Sequence, residues 1–394
     1  VAEWTLLARD TNREIMGVLS GWTLDLTLRL NEVGSWSITV PREIVPGDWP
    51  RQYSGLIMLR DGVPVASGQV ESTSFDWSAS PDDEAGGPGN FTVTGGTDMA
   101  ALGTRIIYPT WNSPFGPGQG SYYESGPLPA EEMMRQLVNR QAGSEAQAEL
   151  GRGVPGLRLG TPTEVGSNVR VRDRFSNLLD LLRSVALAGG GLVFDVVDAL
   201  DTFQDFVVRE PVDRTLTARF GPELGNVASL HLEYAAPTVT AALVAAGGEL
   251  ESRYLMQFTS TGRRVEQLVD QRQVGAEEDP DTDPEEHEKQ LEELEKAAEE
   301  VLAEGAAQTA VNAVLLDTPQ VQWLRDYNVG DLVSIQTPLG AVTDLVREVR
   351  VTVDETGLEH VESTIGTAEA TNQDPMLATV KRLQKRLYQL EKGL

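Results

Sequence analysis

The three histidines of this 394-residue chain, His231, His287 and His360, are the first residues to test for catalytic or metal chemistry. None has a second histidine at HxH or HxxxH spacing, the separations at which a strand or a helix turns two imidazoles toward one ion. His287 stands among glutamates and reads as a solvated residue of a charged helix. The glycine runs do no better as phosphate cradles. GPGQG at 116 to 120 lacks the Lys-Ser or Lys-Thr that phosphate binding requires, and the triplet at 189 to 191 follows a helical pattern where a dinucleotide loop would precede one. No serine sits in a GxSxG elbow. With 60 acidic residues, some pair of carboxylates will always fall at glycosidase separation, so such pairs carry no information. Cysteine is absent, which removes thiolate nucleophiles, disulfides and Cys-ligated metals. The expectation is a non-enzyme, with no catalytic, cofactor-binding or metal-ligating residue and no cofactor.

Charge narrows the field further. The formal net charge is -28, which argues against a surface that grips nucleic acid, because phosphate binding needs clustered Lys and Arg. Interleaved aromatic and basic residues, as single-strand binders use, are missing too. Acidity of this kind keeps a protein soluble, or lines a surface that DNA slides past. No run of about 18 apolar residues occurs and the N-terminus lacks a basic region followed by an apolar one, so the sequence predicts neither a membrane span nor a standard export signal.

The elements that would position any site begin with a phrase written twice. YSGLIMLRDGVPVASGQVES starts at Tyr53, and YNVGDLVSIQTPLGAVTDLVREV starts at Tyr327. Each passes a glycine (Gly55, Gly330), enters an apolar strand, turns on Gly or Pro chemistry, and continues into a second and a third strand. Each closes on a final strand and a Gly-Thr pair, Gly96-Thr97 and Gly366-Thr367. Identity between the copies is low, so the pattern fits either a structural duplication or two ordinary hairpins. Strict alternation at Trp22, Leu24, Leu26, Leu28 and Leu30 adds a half-buried strand ahead of the first copy.

Between the copies the periodicity changes. After a Pro/Gly/Tyr-rich loop, Ala130, Met133, Met134, Leu137 and Val138 form one helical stripe, with Glu131 and Glu132 in its first turn. Phe175, Leu178, Leu179, Leu182, Val185 and Ala186 form another. A hairpin follows, GLVFDVV to FQDFVVRE. Strands return at NVASLHLEY, TVTAALVAAGG, YLMQFTS and RRVEQLVDQRQ. An acid-rich tract then opens a helix at Asp283-Pro284, whose stripe of Leu291, Leu294, Ala298, Val301 and Leu302 continues weakly to Val314 and Leu315. At the C-terminus, Met376, Val380, Leu383, Leu387 and Leu390 alternate by four and three, the spacing of a supercoil seam. Such a helix is an oligomer seam, or docks on its own subunit, or lays its basic face (Lys381, Arg382, Lys385, Arg386) on the acidic helix. Taken alone it is too short to associate.

The segments ESGPLPAEEMMRQLVNR, RFSNLLDLLRSVALAGGGLVFDV, RFGPELGNVASLHLEYAAPTVTAALVAAGGELESR and YNVGDLVSIQTPLG, in this order, resemble the tail hub (minor tail) proteins of long-tailed phages of actinobacteria, a group similar to the baseplate hub of contractile tails. The resemblance covers roughly residues 1 to 370. It implies a mainly β fold with α+β parts: a first hub β-barrel domain (1–104), an inserted α/β domain (105–222), and a second hub β-barrel (223–370) with an acidic helix near 283–317. The terminal heptad helix (371–394) falls outside it. It further implies a homotrimer whose six similar lobes stack on a hexameric tail-tube ring at the distal tip of the virion. Partners there would be the tape-measure protein and tip fibres or receptor-binding proteins, with DNA passing through unbound. Rival readings are a tail-tip adhesin using the aromatics of YPTWNSPF and Tyr122-Tyr123, a cell-wall hydrolase, and the hub of a contractile injection system.

Overall fold

The computed structural model describes residues 2–51, 54–77, 89–114, 119–120, 122–247, 253–260, 262–271, 284–305 and 308–366. Two compact units divide it, Val1–Leu230 with Asn312–Gly366, and a second centred on His231–Val311. Tyr53, Thr367 and the heptad positions Met376, Val380, Leu383, Leu387 and Leu390 lie outside the described residues.

The first unit opens with strands β1 (Trp4–Arg9), β2 (Ile15–Leu19), β3 (Thr23–Arg29), β4 (Ser35–Pro41), β5 (Gly55–Arg60), β6 (Val63–Asp76) and β7 (Asn90–Thr97), then a short helix α1 (Ala100–Gly103). The insertion follows as β8 (Tyr123–Pro129), α2 (Ala130–Gln141), α3 (Ser144–Leu150), β9 (Leu157–Leu159), β10 (Asn168–Asp173), α4 (Leu178–Ala188), β11 (Val193–Asp198) and β12 (Gln204–Arg209). Its two amphipathic helices bury the stripes read from the sequence except Phe175, which precedes α4 at φ 58° and is half-buried: Met133, Met134, Leu137 and Val138 of α2 share one core with Leu178, Leu182 and Val185 of α4, and with Phe194 and Phe206 of the hairpin. Asn177 caps α4 by accepting hydrogen bonds from the Leu179 and Asp180 amides.

After β13 (Arg219–Phe220), β14 (Val227–Ala235) leads into the second unit. There β15 (Ala241–Ala245), β16 (Leu255–Thr259) and β17 (Glu266–Asp270) form a three-stranded sheet in the order β16-β15-β17. The acidic helix α5 (Pro284–Glu304) lays Leu294 and Ala298 on Ala242 and Val244 of that sheet, so its apolar stripe is core. The helix was expected to run near 283–317, but it ends at Glu304. Residues Gln308–Leu316 are instead strand β18, in which Val311, Ala313 and Leu315 are buried in alternation. Period two overrides the weak continuation of the helical stripe here. The chain ends its described course with β19 (Leu332–Thr337), β20 (Gly340–Val353) and β21 (Glu359–Ile365).

The repeated phrase forms the same strand arrangement twice, but its first glycines are not equivalent: Gly55 opposes Gln69, just before Val70, as Leu332 opposes Leu345, just before Val346, so Gly55 matches Leu332 and not Gly330. One sheet carries the order β14-β18-β21-β20-β3-β4-β7-β6-β5-β1-β2, with β19 bonded to β20 and β13 to β19. It therefore contains two series, β3-β4-β7-β6-β5-β1 and β14-β18-β21-β20-β19-β13, in matching order. The second and third strands expected in each copy are a single 14-residue strand, β6 or β20, bent by a β-bulge where its pairing with β7 or β21 shifts, at Val70/Ser72 and at Val346/Glu348. The matching bulge amides donate to matching carbonyls, Val70 N to Ser54 O (2.8 Å) and Val346 N to Asp331 O (3.0 Å). Beyond the bulge, Gly95 opposes Val70 as Ile365 opposes Val346, which makes Gly96 and Gly366 equivalent, as the sequence pairing had them. The series differ at the edge, where β1 runs antiparallel to β5 and β13 runs parallel to β19.

Two barrels were expected. Among the described residues the sheet is open, because β20 pairs with β3 and joins both lobes into one continuous sheet. Equivalent positions also explain why identity is low. In the first lobe Trp36 of β4 faces Gly95 of β7; in the second, Ala313 of β18 faces Ile365 of β21. All four are inside, so the large and small partners have exchanged strands while the space between them is filled in both lobes.

Tyr327, which opens the second copy, is buried with its hydroxyl 2.8 Å from Asp317 Oδ1 and 2.9 Å from Ser363 Oγ, and its ring is edge-on to Phe220. Burial, with the Asp317 charge beside it, pushes the phenol far above its ordinary range, so it stays a donor. Tyr327→Phe should lower stability by about 1–3 kcal/mol, read from a urea transition, because the Asp317 carboxylate loses a donor it was desolvated to meet.

Candidate functional site

Ionised side chains gather at one place in the first unit. Arg9 ends β1 and Arg13, held at φ 71°, lies in the turn to β2; both guanidiniums point between Asp98, just after β7, and Asp198, at the end of β11. Arg9 bonds Asp98 at 2.6 Å and reaches Asp198 at 3.4 Å, while Arg13 bonds Asp98 at 3.1 Å and Asp198 at 2.5 Å. Ser67 donates to Asp98 and Arg13 donates to Gln204 Oε1. All six side chains are buried. Burial alone would push the Asp98 carboxyl up, but the two guanidiniums and the hydrogen bonds from Arg9 and Ser67 together hold it below the usual carboxylate range. The glycine of the first repeated phrase belongs to this arrangement. A Cβ on Gly55 would stand 2.2 Å from Arg9 Nε and 2.7 Å from Gly68 O.

The quartet fastens the first lobe to the insertion. It offers no open coordination or proton-transfer position, since each carboxylate is committed to guanidinium donors. Sequence reading missed it because its partners are 85 to 189 residues apart. The RDTNRE turn gave no hint beyond two arginines of ordinary spacing.

A cleft of about 250 Å³ opens beside it, walled by β3, β6, β11 and the 323–329 segment. Asp195 lines it, exposed to solvent on one side, and the protein on its other side raises its carboxyl above the ordinary carboxylate range. A raised carboxylate in a cleft is a pattern seen in general acids. Here the neighbouring charges are engaged elsewhere, Asp198 with both arginines and Arg209 with Asp331 at 3.0 Å.

The other candidates are dispersed. His231 is exposed on β14, His360 on β21 meets Glu362 at 3.2 Å, and His287 lies on α5. Among the described residues no group of three or more His, Cys, Asp or Glu is placed to hold a metal ion, and no helix is long and apolar enough to cross a membrane. Among the described aromatics of the adhesin reading, Arg140 lies over Trp111, Arg172 over Tyr122 and Arg152 over Tyr108, and Tyr123 is buried; Phe115 lies outside the described residues. Glu131, expected to complement the dipole of α2, also clamps the loop at Thr163 and Val165 by accepting their amides at 2.8 and 3.1 Å.

A family model described as Siphovirus ReqiPepy6 Gp37-like protein matches residues 4–367. No curated protein matches. Among solved structures the chain is similar to the 43 kDa tail protein of prophage MuSo2 from Shewanella oneidensis, at 15% identity over 94% of this chain and 100% of that one, with a TM-score of 0.50. It is also similar to a tail protein from Neisseria meningitidis MC58 (11% identity, 93% and 97% covered, TM-score 0.47). A third is the prophage tail protein gp18 from Listeria monocytogenes EGD-e (12% identity, 98% and 99% covered, TM-score 0.46). At 15% identity the likeness to the MuSo2 protein is one of fold alone.

Proposed function

The chain belongs to the Siphovirus ReqiPepy6 Gp37-like protein family, and we propose that it is a non-enzymatic tail hub, a homotrimeric ring at the distal end of the phage tail tube. The observation that carries this reading is the duplication: two lobes with one strand order, one bulge position and one Gly register in a single chain. Three copies then present six similar lobes, so a threefold object can stack on a hexameric ring. Each lobe is a wall unit of that ring, with the insertion as a buttress held on by the Arg9, Arg13, Asp98 and Asp198 quartet. The tube ring and the tape-measure protein lie on one side, tip fibres or receptor-binding proteins on the other. The net charge of -28 suits a lumen that repels phosphate and lets DNA pass. Family membership favours a long-tailed phage over a contractile injection system, and the arginine-covered aromatics disfavour the adhesin.

Mass photometry should find trimers, alone or with the tube neighbour; monomers under both conditions would refute the ring. Replacing Leu383 and Leu387 with Asp is expected to weaken self-association if the terminal heptads form a seam, and to leave it unchanged if that helix docks on its own subunit.

A further inference from the structure

The junction between the lobes predicts the junction between copies. The N-terminal half of β20 pairs with β19 and its C-terminal half, Glu348 to Val353, pairs with β3. Along that second pairing Arg350 meets Asp25 at 2.7 Å and Arg29 meets Glu348 at 2.8 Å, and Val351 and Val353 are 0% and 2% exposed. The equivalent strand of the first lobe, β6, pairs with β5 only as far as Gln69. Among the described residues, Ser72 to Asp76 bond β7 alone and leave their other edge open. Counting from the matching bulge residues Val346 and Val70, Val351 and Val353 correspond to Phe75 and Trp77, which are 42% and 57% exposed. Positions that are core in one lobe are thus large exposed apolar groups in the other. An open strand edge carrying aromatics is a liability unless something covers it.

The repeat also names the cover. The strand that fills this edge on β20 is β3, and the counterpart of β3 in the second lobe is β14. β14 bonds β18 on one side and, among the described residues, no strand on the other. We propose that β14 of one copy pairs antiparallel with the C-terminal half of β6 in the next copy, seating against Phe75 and Trp77, by strand addition. Within one chain the second lobe receives β3 from the first; between chains the first lobe receives β14 from the second. The contact is heterologous, so it closes only as a ring or runs on as a filament. The inference rests on the ring reading and specifies its joint.

The chain has no cysteine, so introduced pairs report cleanly. Ser74→Cys would be mixed in turn with Ala228→Cys, Ser229→Cys and Leu230→Cys under mild oxidation, with Asn12→Cys, in the β1–β2 turn, as the unrelated partner. Expected are covalent dimers from at least one β14 position and none from Asn12→Cys, and covalent trimers when the reactive pair is placed in one chain. Trimers in mass photometry with no cross-link at any β14 position would overturn the strand pairing and leave the ring standing. Monomers throughout would overturn both.

Discussion

Asp98→Ala is expected to lower the stability of the first unit by about 3–5 kcal/mol, because two buried guanidiniums would keep their desolvation cost and lose the carboxylate they share. The magnitude reflects the penalty of orphaned charge more than the net worth of the pairs. Replacing all four members with apolar residues of similar volume should therefore cost much less than the single change. The quartet has a pH signature as well. The Asp98 carboxyl is held below its ordinary value in the folded state, so the stability it contributes is complete above the unfolded value, near about 3.9. That contribution is lost as pH falls through the folded value. Wild-type protein should lose urea resistance below about pH 4 and Asp98→Ala should show a flatter acid limb. A change of less than about 1 kcal/mol at neutral pH would mean that water reaches the arginines and the quartet is not the fastening described.

The exchanged pair Trp36/Gly95 and Ala313/Ile365 gives the second large effect. A Cβ on Gly95 would lie 2.0 Å from Gln69 O and 2.6 Å from Trp36 Cζ2, so Gly95→Ile overfills the site and should cost about 3 kcal/mol or more. Trp36→Ala opens a cavity worth about 3–5 kcal/mol and strands Gly96 O, which accepts from the indole nitrogen at 3.1 Å. Together the two changes copy the pair of the second lobe. Their combined cost should fall short of the sum by about 1–3 kcal/mol, since the isoleucine occupies space the indole left. Recovery stays partial because the Gln69 carbonyl does not move out of the way. Additive costs in a urea-denaturation cycle would show that the lobes are not equivalent at this position.

What the sequence carried well was periodic and local. The strict alternation of Leu24, Leu26 and Leu28 is β3, and the stripes of α2 and, from Leu178 on, α4 are core; the Gly96/Gly366 pairing is correct to the residue, whereas Gly55 matches Leu332 and not Gly330. The long bent strands β6 and β20 look like two strands each in sequence, because a bulge interrupts alternation as a turn does. The Val311 to Leu315 run of strand β18 is ambiguous in sequence because it satisfies both the helical and the strand period over so short a length. β8, α3 and β10 were missed between stronger signals. The buried quartet and the joining of the lobes through β3 and β20 were illegible, since both depend on contacts between residues far apart in the chain. The equivalence of the lobes was hidden at its most informative point, where a Trp-Gly pair in one lobe stands for an Ala-Ile pair in the other.

The most direct test of the hub is a cryo-EM map of the protein assembled with the tube end of the phage tail. It should resolve three chains about one axis, with the lobes containing β6 and β20 alternating around the lumen as six superimposable wall units. A map in which those lobes do not alternate, or in which one copy or six copies occupy the tail tip, would contradict it.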